Sequence, residues 1–76
     1  KDTIVNILKM IEIQLNGKAY PLDKECNIDD FLSKLSIDKT KVAIELNKSE
    51  VPKDKYSVTK LANKDVVEIV TFIGGG

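Results

Sequence analysis

The chain has 76 residues, 42% of them apolar and 32% charged, and its twelve basic side chains balance twelve acidic ones. A length of this order makes one small domain with no room for a large catalytic cleft, and zero net charge with Tyr20, Phe31, Tyr56 and Phe72 as the only aromatics argues against nucleic acid. One cysteine, Cys26, and no histidine exclude an internal disulfide and a conventional zinc site, while no apolar stretch approaches the roughly 20 residues of a membrane-spanning helix.

Residues 1–9 mix charge with Ile4, Val5, Ile7 and Leu8, and Met10 reads as a natural start. They form a leading extension of uncertain role: a tail, a cloning remnant, or an element that extends the sheet or offers an edge for self-association. Acidic Asp2 does not fit a signal peptide, and the chain is expected to be cytoplasmic, with no membrane partner.

From Met10 to Leu15 the sequence alternates, with Ile11, Ile13 and Leu15 on one face and Glu12 and Gln14 on the other, the period of a half-buried strand. Asn16-Gly17 tolerates positive φ at both positions and predicts a two-residue type I′ hairpin into a second strand from about Lys18 to Leu22. Pro21 donates no ladder hydrogen bond and places that strand at an edge. At Ile28 the period changes: Ile28, Phe31, Leu32 and Leu35 share one helical stripe, Asn27 supplies an N-cap, and Asp29 and Asp30 suit the positive end of the dipole.

Alternation returns from Val42 to Leu46, and Asn47-Lys48-Ser49 reads as a turn. Glu50 to Asn63 is interrupted by Pro52 and by charge; a short strand or a helical turn is expected there, anchored in the core by Val51 and Leu61. After a turn at Asn63-Lys64-Asp65, where Asn63 is expected to take any left-handed conformation, the last strand sets Val67, Ile69 and Ile73 inward against Glu68, Val70 and Phe72. That order predicts an α+β fold of the β-grasp type: a mixed sheet of four to five strands, the first and last pairing in parallel at its centre, one helix across one face. The expected division is an extension at 1–9, a β-grasp domain at 10–73 and a flexible glycine tail at 74–76.

Three of the four glycines are Gly74, Gly75 and Gly76, directly after the apolar run Val66 to Ile73. Without a Cβ, such a stalk fits a narrow cleft that rejects other residues, so the carboxylate of Gly76 becomes the reactive group and Gly74 and Gly75 the segment inserted into a partner's active site. Val70, Phe72 and Ile73 are the residues expected to contact that partner, or else to pack on the core or the extension.

With these parts in this order, the chain from Met10 onward resembles the small sulfur-carrier proteins of thiamin thiazole biosynthesis, which have a ubiquitin-like fold. The resemblance is carried by Ile11-Glu12-Ile13 with Asn16-Gly17, by Val42 to Asn47 followed by Val51-Pro52, and by Asp65 to Ile69 running into Phe72-Ile73-Gly74-Gly75-Gly76. It implies no catalytic residue and no bound cofactor in the chain itself. A partner related to ubiquitin-activating enzymes uses ATP to adenylate Gly76, a cysteine desulfurase relay supplies sulfur, and the resulting thiocarboxylate serves thiazole synthase. Alternatives on the same residues are a sulfur carrier for molybdopterin or cysteine biosynthesis, a ubiquitin-like protein modifier, and an interaction domain whose tail does nothing. Elsewhere the plain readings prevail: Cys26 as a small, partly buried hydrophobe, Asp29-Asp30 as helix-start carboxylates without a third metal ligand, and scattered lysines as solvated surface.

Overall fold

The alternating segment forms strand β1, Ile11–Leu15, with Ile11 and Ile13 buried and Glu12 and Gln14 exposed. The structure, a computed structural model, describes residues 10–72; the extension at 1–9 and the residues from Ile73 to Gly76 lie outside the described residues. Asn16 (φ 48°) and Gly17 (φ 85°) both take the left-handed conformation that a type I′ turn demands. They close a hairpin to β2, Lys18–Leu22, in which Leu15 faces Lys18 and Ile11 faces Leu22. Pro21 is accommodated because β2 has a neighbour on one side only.

Strand β3, Cys26–Asn27, leads into helix α1, Ile28–Lys34. The Asn27 side-chain oxygen accepts the Asp30 N–H at 2.7 Å, satisfying one of the four free donors of the first turn. Asp29 and Asp30 lie at the positive end and Lys34 at the negative end, and the Leu35 N–H donates to the Phe31 carbonyl at 3.1 Å as the helix closes. Ile28, Phe31 and Leu32 face the sheet in one core with Ile13, Leu22, Val42, Ile44, Leu61 and Val67. The Phe31 ring meets the Tyr20 ring edge-on, 5.8 Å between centroids.

Strand β4, Val42–Leu46, turns through Asn47 (φ 52°) and Lys48 (φ 74°) into β5, Ser49–Val51, so this second hairpin has the same positive-φ turn as the first. The Glu50–Asn63 segment holds both of the expected devices: β5, a 3-10 turn at Lys53–Lys55, and a two-residue strand β6, Lys60–Leu61, which pairs antiparallel with β3 as a small second sheet. Leu61 is fully buried as expected and Val51 is half-buried. The larger anchor is Tyr56, also fully buried, which the sequence did not disclose.

Strand β7, Val66–Thr71, completes a five-stranded sheet in the order β2-β1-β7-β4-β5, with β1 and β7 parallel and the other neighbours antiparallel. This is the expected ubiquitin-like β-grasp, with β7 at its centre. One local expectation is corrected. The left-handed residue of the turn before β7 is Lys64 (φ 73°) and not Asn63. The Asn63 side-chain oxygen is engaged by the Glu12 N–H at 2.9 Å, and the strain at Lys64 is offset by its own N–H, which donates to the Glu12 carbonyl at 2.7 Å.

Candidate functional site at the root of the glycine tail

The residues that lead to the tail belong to β7, which is held along both flanks. On the β1 side regular pairing covers Gln14 with Val66 and Leu15 with Val67. The Asn16 side chain then extends the ladder, its oxygen accepting the Ile69 N–H at 2.7 Å and its amide donating to the Ile69 carbonyl at 3.3 Å. Asn47 does the same at the start of the strand: its oxygen accepts the Val66 N–H at 2.8 Å, and its amide donates to Asp65 at 3.1 Å. Both asparagines read in sequence as turn residues only. Each spends its backbone on the turn and its side chain on the central strand, and the second role has no local signature because the partners are 53 and 19 residues away.

The two faces of β7 differ. Val67 and Ile69 point into the core, whereas Glu68 and Val70 lie on the opposite face of the sheet and are exposed. There Val70 stands opposite Ala43, and Glu68 opposite Glu45, which in turn faces Glu50 on β5. Three carboxylates thus run in one row across three strands, and among the described residues the one ion pair is elsewhere, Lys39 to Asp29 at 3.4 Å. Like charges placed directly opposite each other destabilise a sheet, so this row is not there for folding.

Phe72 continues the β4 pairing one residue past the strand, its N–H donating to the Lys41 carbonyl at 3.0 Å. Phe72 is 51% exposed, with Val70 at 48%, and the Lys53 ammonium lies 5.3 Å from the Phe72 ring centroid. Of the expected partner-contact residues, the structure brings Val70 and Phe72 to the surface on the strand that leads to the tail. Ile73 and the tail glycines Gly74, Gly75 and Gly76 lie outside the described residues.

Cys26 is half-buried against the core, and burial pushes its thiol above the ordinary value despite the opposing charge of Lys34, which leaves it a poor nucleophile near neutrality. No three His, Cys, Asp or Glu residues among those described are placed to hold a metal ion. A shallow depression of about 380 Å³ is lined by Glu12, Gln14, Ala19 and Lys64. No helix among the described residues is long and apolar enough to cross a membrane.

A mixed five-stranded sheet with a parallel central pair and one helix packed on one face defines a ubiquitin-like β-grasp domain. The sequence profile of the ThiS family matches residues 13–76. The sulfur carrier protein ThiS of Bacillus subtilis (strain 168) is 38% identical over 65 residues, covering 84% of this chain and 98% of that one. The crystal structure of a thiamine biosynthesis protein (ThiS) from Geobacter metallireducens superposes with a TM-score of 0.77 at 29% identity, over 87% of this chain and 100% of its own. A thiazole synthase of Paramagnetospirillum magneticum is 35% identical over 66 residues, which cover 87% of this chain but 20% of that longer one. The chain belongs to the ThiS family, whose members are small sulfur carriers of thiamin biosynthesis and not catalysts.

Proposed function

We propose that this chain carries sulfur as a thiocarboxylate on Gly76 and delivers it for assembly of the thiamin thiazole. The carboxylate of Gly76 attacks the α-phosphorus of ATP on an adenylating enzyme, pyrophosphate leaves, and the acyl-adenylate gains the leaving group that a free carboxylate lacks. The terminal sulfur of a persulfide from a cysteine desulfurase relay then displaces AMP to give an acyl disulfide, a thiol cleaves its S–S bond by forming a disulfide with the relay cysteine, and the released thiocarboxylate passes its sulfur to thiazole synthase. Gly74 and Gly75 supply a stalk without side chains, and Val70, Phe72 and Ile73 give the partner an apolar surface at its root.

The observation that carries this reading is the central strand: β7 is pinned on both flanks and runs toward three consecutive glycines inside the segment that matches the family. A thiazole synthase partner is supported by the similar segments inside two thiazole synthases, those of Paramagnetospirillum magneticum and Magnetococcus marinus, since a carrier joined to its acceptor in one chain works beside it.

Intact-mass measurement of the protein purified from its native host tests the reading. A fraction heavier by about sixteen mass units, sulfur in place of oxygen, is expected, and it disappears when Gly75 and Gly76 are deleted while the far-ultraviolet spectrum is retained. Isopeptide remnants of Gly76 on other proteins, with no heavier form, would replace carriage with tagging.

A further inference from the structure

Strand β5 stops at Val51 because Pro52 has no N–H for the ladder, and the chain turns off into Lys53–Lys55. The register that pairs Ile44 with Val51 would, two residues on, set Lys53 opposite Val42. In place of a strand hydrogen bond, the Lys53 ammonium donates to the Val42 carbonyl at 2.8 Å. The same nitrogen stands 5.3 Å from the centre of the Phe72 ring, whose π face attracts a cation. The Phe72 N–H is meanwhile bound to Lys41, the residue before Val42.

Phe72 is therefore gripped twice, at the main chain and at the ring, on the last described residue before the tail. A solvent-exposed lysine ordinarily keeps its rotamer freedom, and this one gives it up for two contacts that converge on one place.

We infer that Lys53 is a positioning residue which fixes the Phe72 ring, so that the partner meets this contact already in place. The inference rests on the reading of Gly76 as the activated group. A half-exposed ring that is free to change rotamer must be ordered when a partner docks on it, and that ordering costs affinity. Holding the Phe72 ring with Lys53 meets that cost beforehand. The saving is made on association, so it belongs in KM for the carrier and not in kcat.

ATP–pyrophosphate exchange by the cognate adenylating enzyme, at varied carrier concentration, tests this with Lys53→Met and Lys53→Arg in the full chain. Methionine keeps the stem without the charge. KM is expected to rise about 3- to 10-fold in Lys53→Met at unchanged kcat, as a lost cation–π contact and charged hydrogen bond imply, and to return toward wild type in Lys53→Arg, which keeps a cation over the ring. An unchanged KM, a loss confined to kcat, or no recovery with arginine overturns the inference. Side-chain relaxation of the Phe72 ring reads the clamp without any partner, since the main chain is held separately by the Lys41 carbonyl. Wild-type protein that supports no exchange refutes the role of Gly76 instead, and the ring then decides: lower side-chain order in Lys53→Met upholds the clamp, and equal order in both proteins overturns it.

Discussion

Replacing Glu45 by glutamine should make this protein more stable, although it removes a charge from the surface. Glu45 is the middle member of the row, with Glu50 directly opposite on one side and Glu68 on the other. Carboxylates about 6 Å apart in water repel by about 0.7 kcal/mol before salt is counted, and like charges at directly opposed sheet positions cost roughly 0.2–1 kcal/mol. Removing the middle charge relieves two such contacts and leaves Glu50 and Glu68 a further strand apart, about 10 Å, where 0.1 M salt largely screens them. The expected gain is about 0.5–1 kcal/mol at low ionic strength, which for a domain of this size raises Tm by about 3–6 °C. Thermal unfolding followed by circular dichroism near pH 7, in about 10 mM and about 0.5 M salt, measures it, and the gain should fall by more than half at the higher salt. A destabilised variant, or one whose gain is the same at both salt concentrations, would refute the electrostatic account.

Tyr56→Phe should also stabilise, by about 1 kcal/mol in urea unfolding, because the hydroxyl is buried without a well-formed hydrogen bond. Burial raises that phenol above its ordinary value and the Ile44 backbone beside it only partly opposes this; a loss of more than about 1 kcal/mol would show that the Ile44 contact is a full hydrogen bond after all. Val70→Lys changes a half-exposed side chain and should alter stability by less than about 0.5 kcal/mol, yet lower kcat/KM for adenylation at least about 10-fold. Unchanged kinetics would remove this face from the partner contact. Asp38 is held below its ordinary value of 3.8 by hydrogen bonds from the Thr40 hydroxyl and N–H, so its folded pKa is depressed. The stability it contributes is complete above about pH 4 and disappears as pH falls through the depressed value, so Asp38→Asn should flatten the acid limb of the stability profile. Coincident limbs in the two proteins would show that the cap is not coupled to folding.

The parts of the fold legible in the sequence are those with a local cause. Asn16-Gly17 demands a turn whatever lies around it, the stripe Ile28, Phe31, Leu32 needs one helix, and alternation through Val42–Leu46 needs one strand. Strands β3 and β6 escaped because two residues cannot display a period, and their pairing joins Cys26 to Leu61 across the whole helix and two strands. Tyr56 escaped because it sits in a charged, irregular segment, where nothing local distinguishes a core residue from a surface one. At the site, the exposure of Val70 and Phe72 followed from parity alone, since Val67 and Ile69 take the buried side. The grip of Asn16 on Ile69 and of Lys53 on Phe72 had no such rule, because each depends on which distant elements the sheet brings together.

That distribution bears on how substitutions should sort. A glycine offers no side chain to do chemistry, so any reactivity of the tail resides in a group common to every protein, and specificity falls to the strand behind it. The core around Ile44 and Val67 decides whether the sheet exists, and truncating there should deplete folded protein without altering the kinetics of the molecules that remain. Val70, Phe72 and Lys53 contribute little to the core, so changing them should leave folded protein abundant and poorly activated. Asn16 belongs to both groups: it shapes the first hairpin with a positive φ and pins Ile69 two residues before the end of β7. Loss of its side chain should lower stability and loosen β7 beside Val70 and Phe72, so its effects on abundance and on activation should not separate as they do elsewhere.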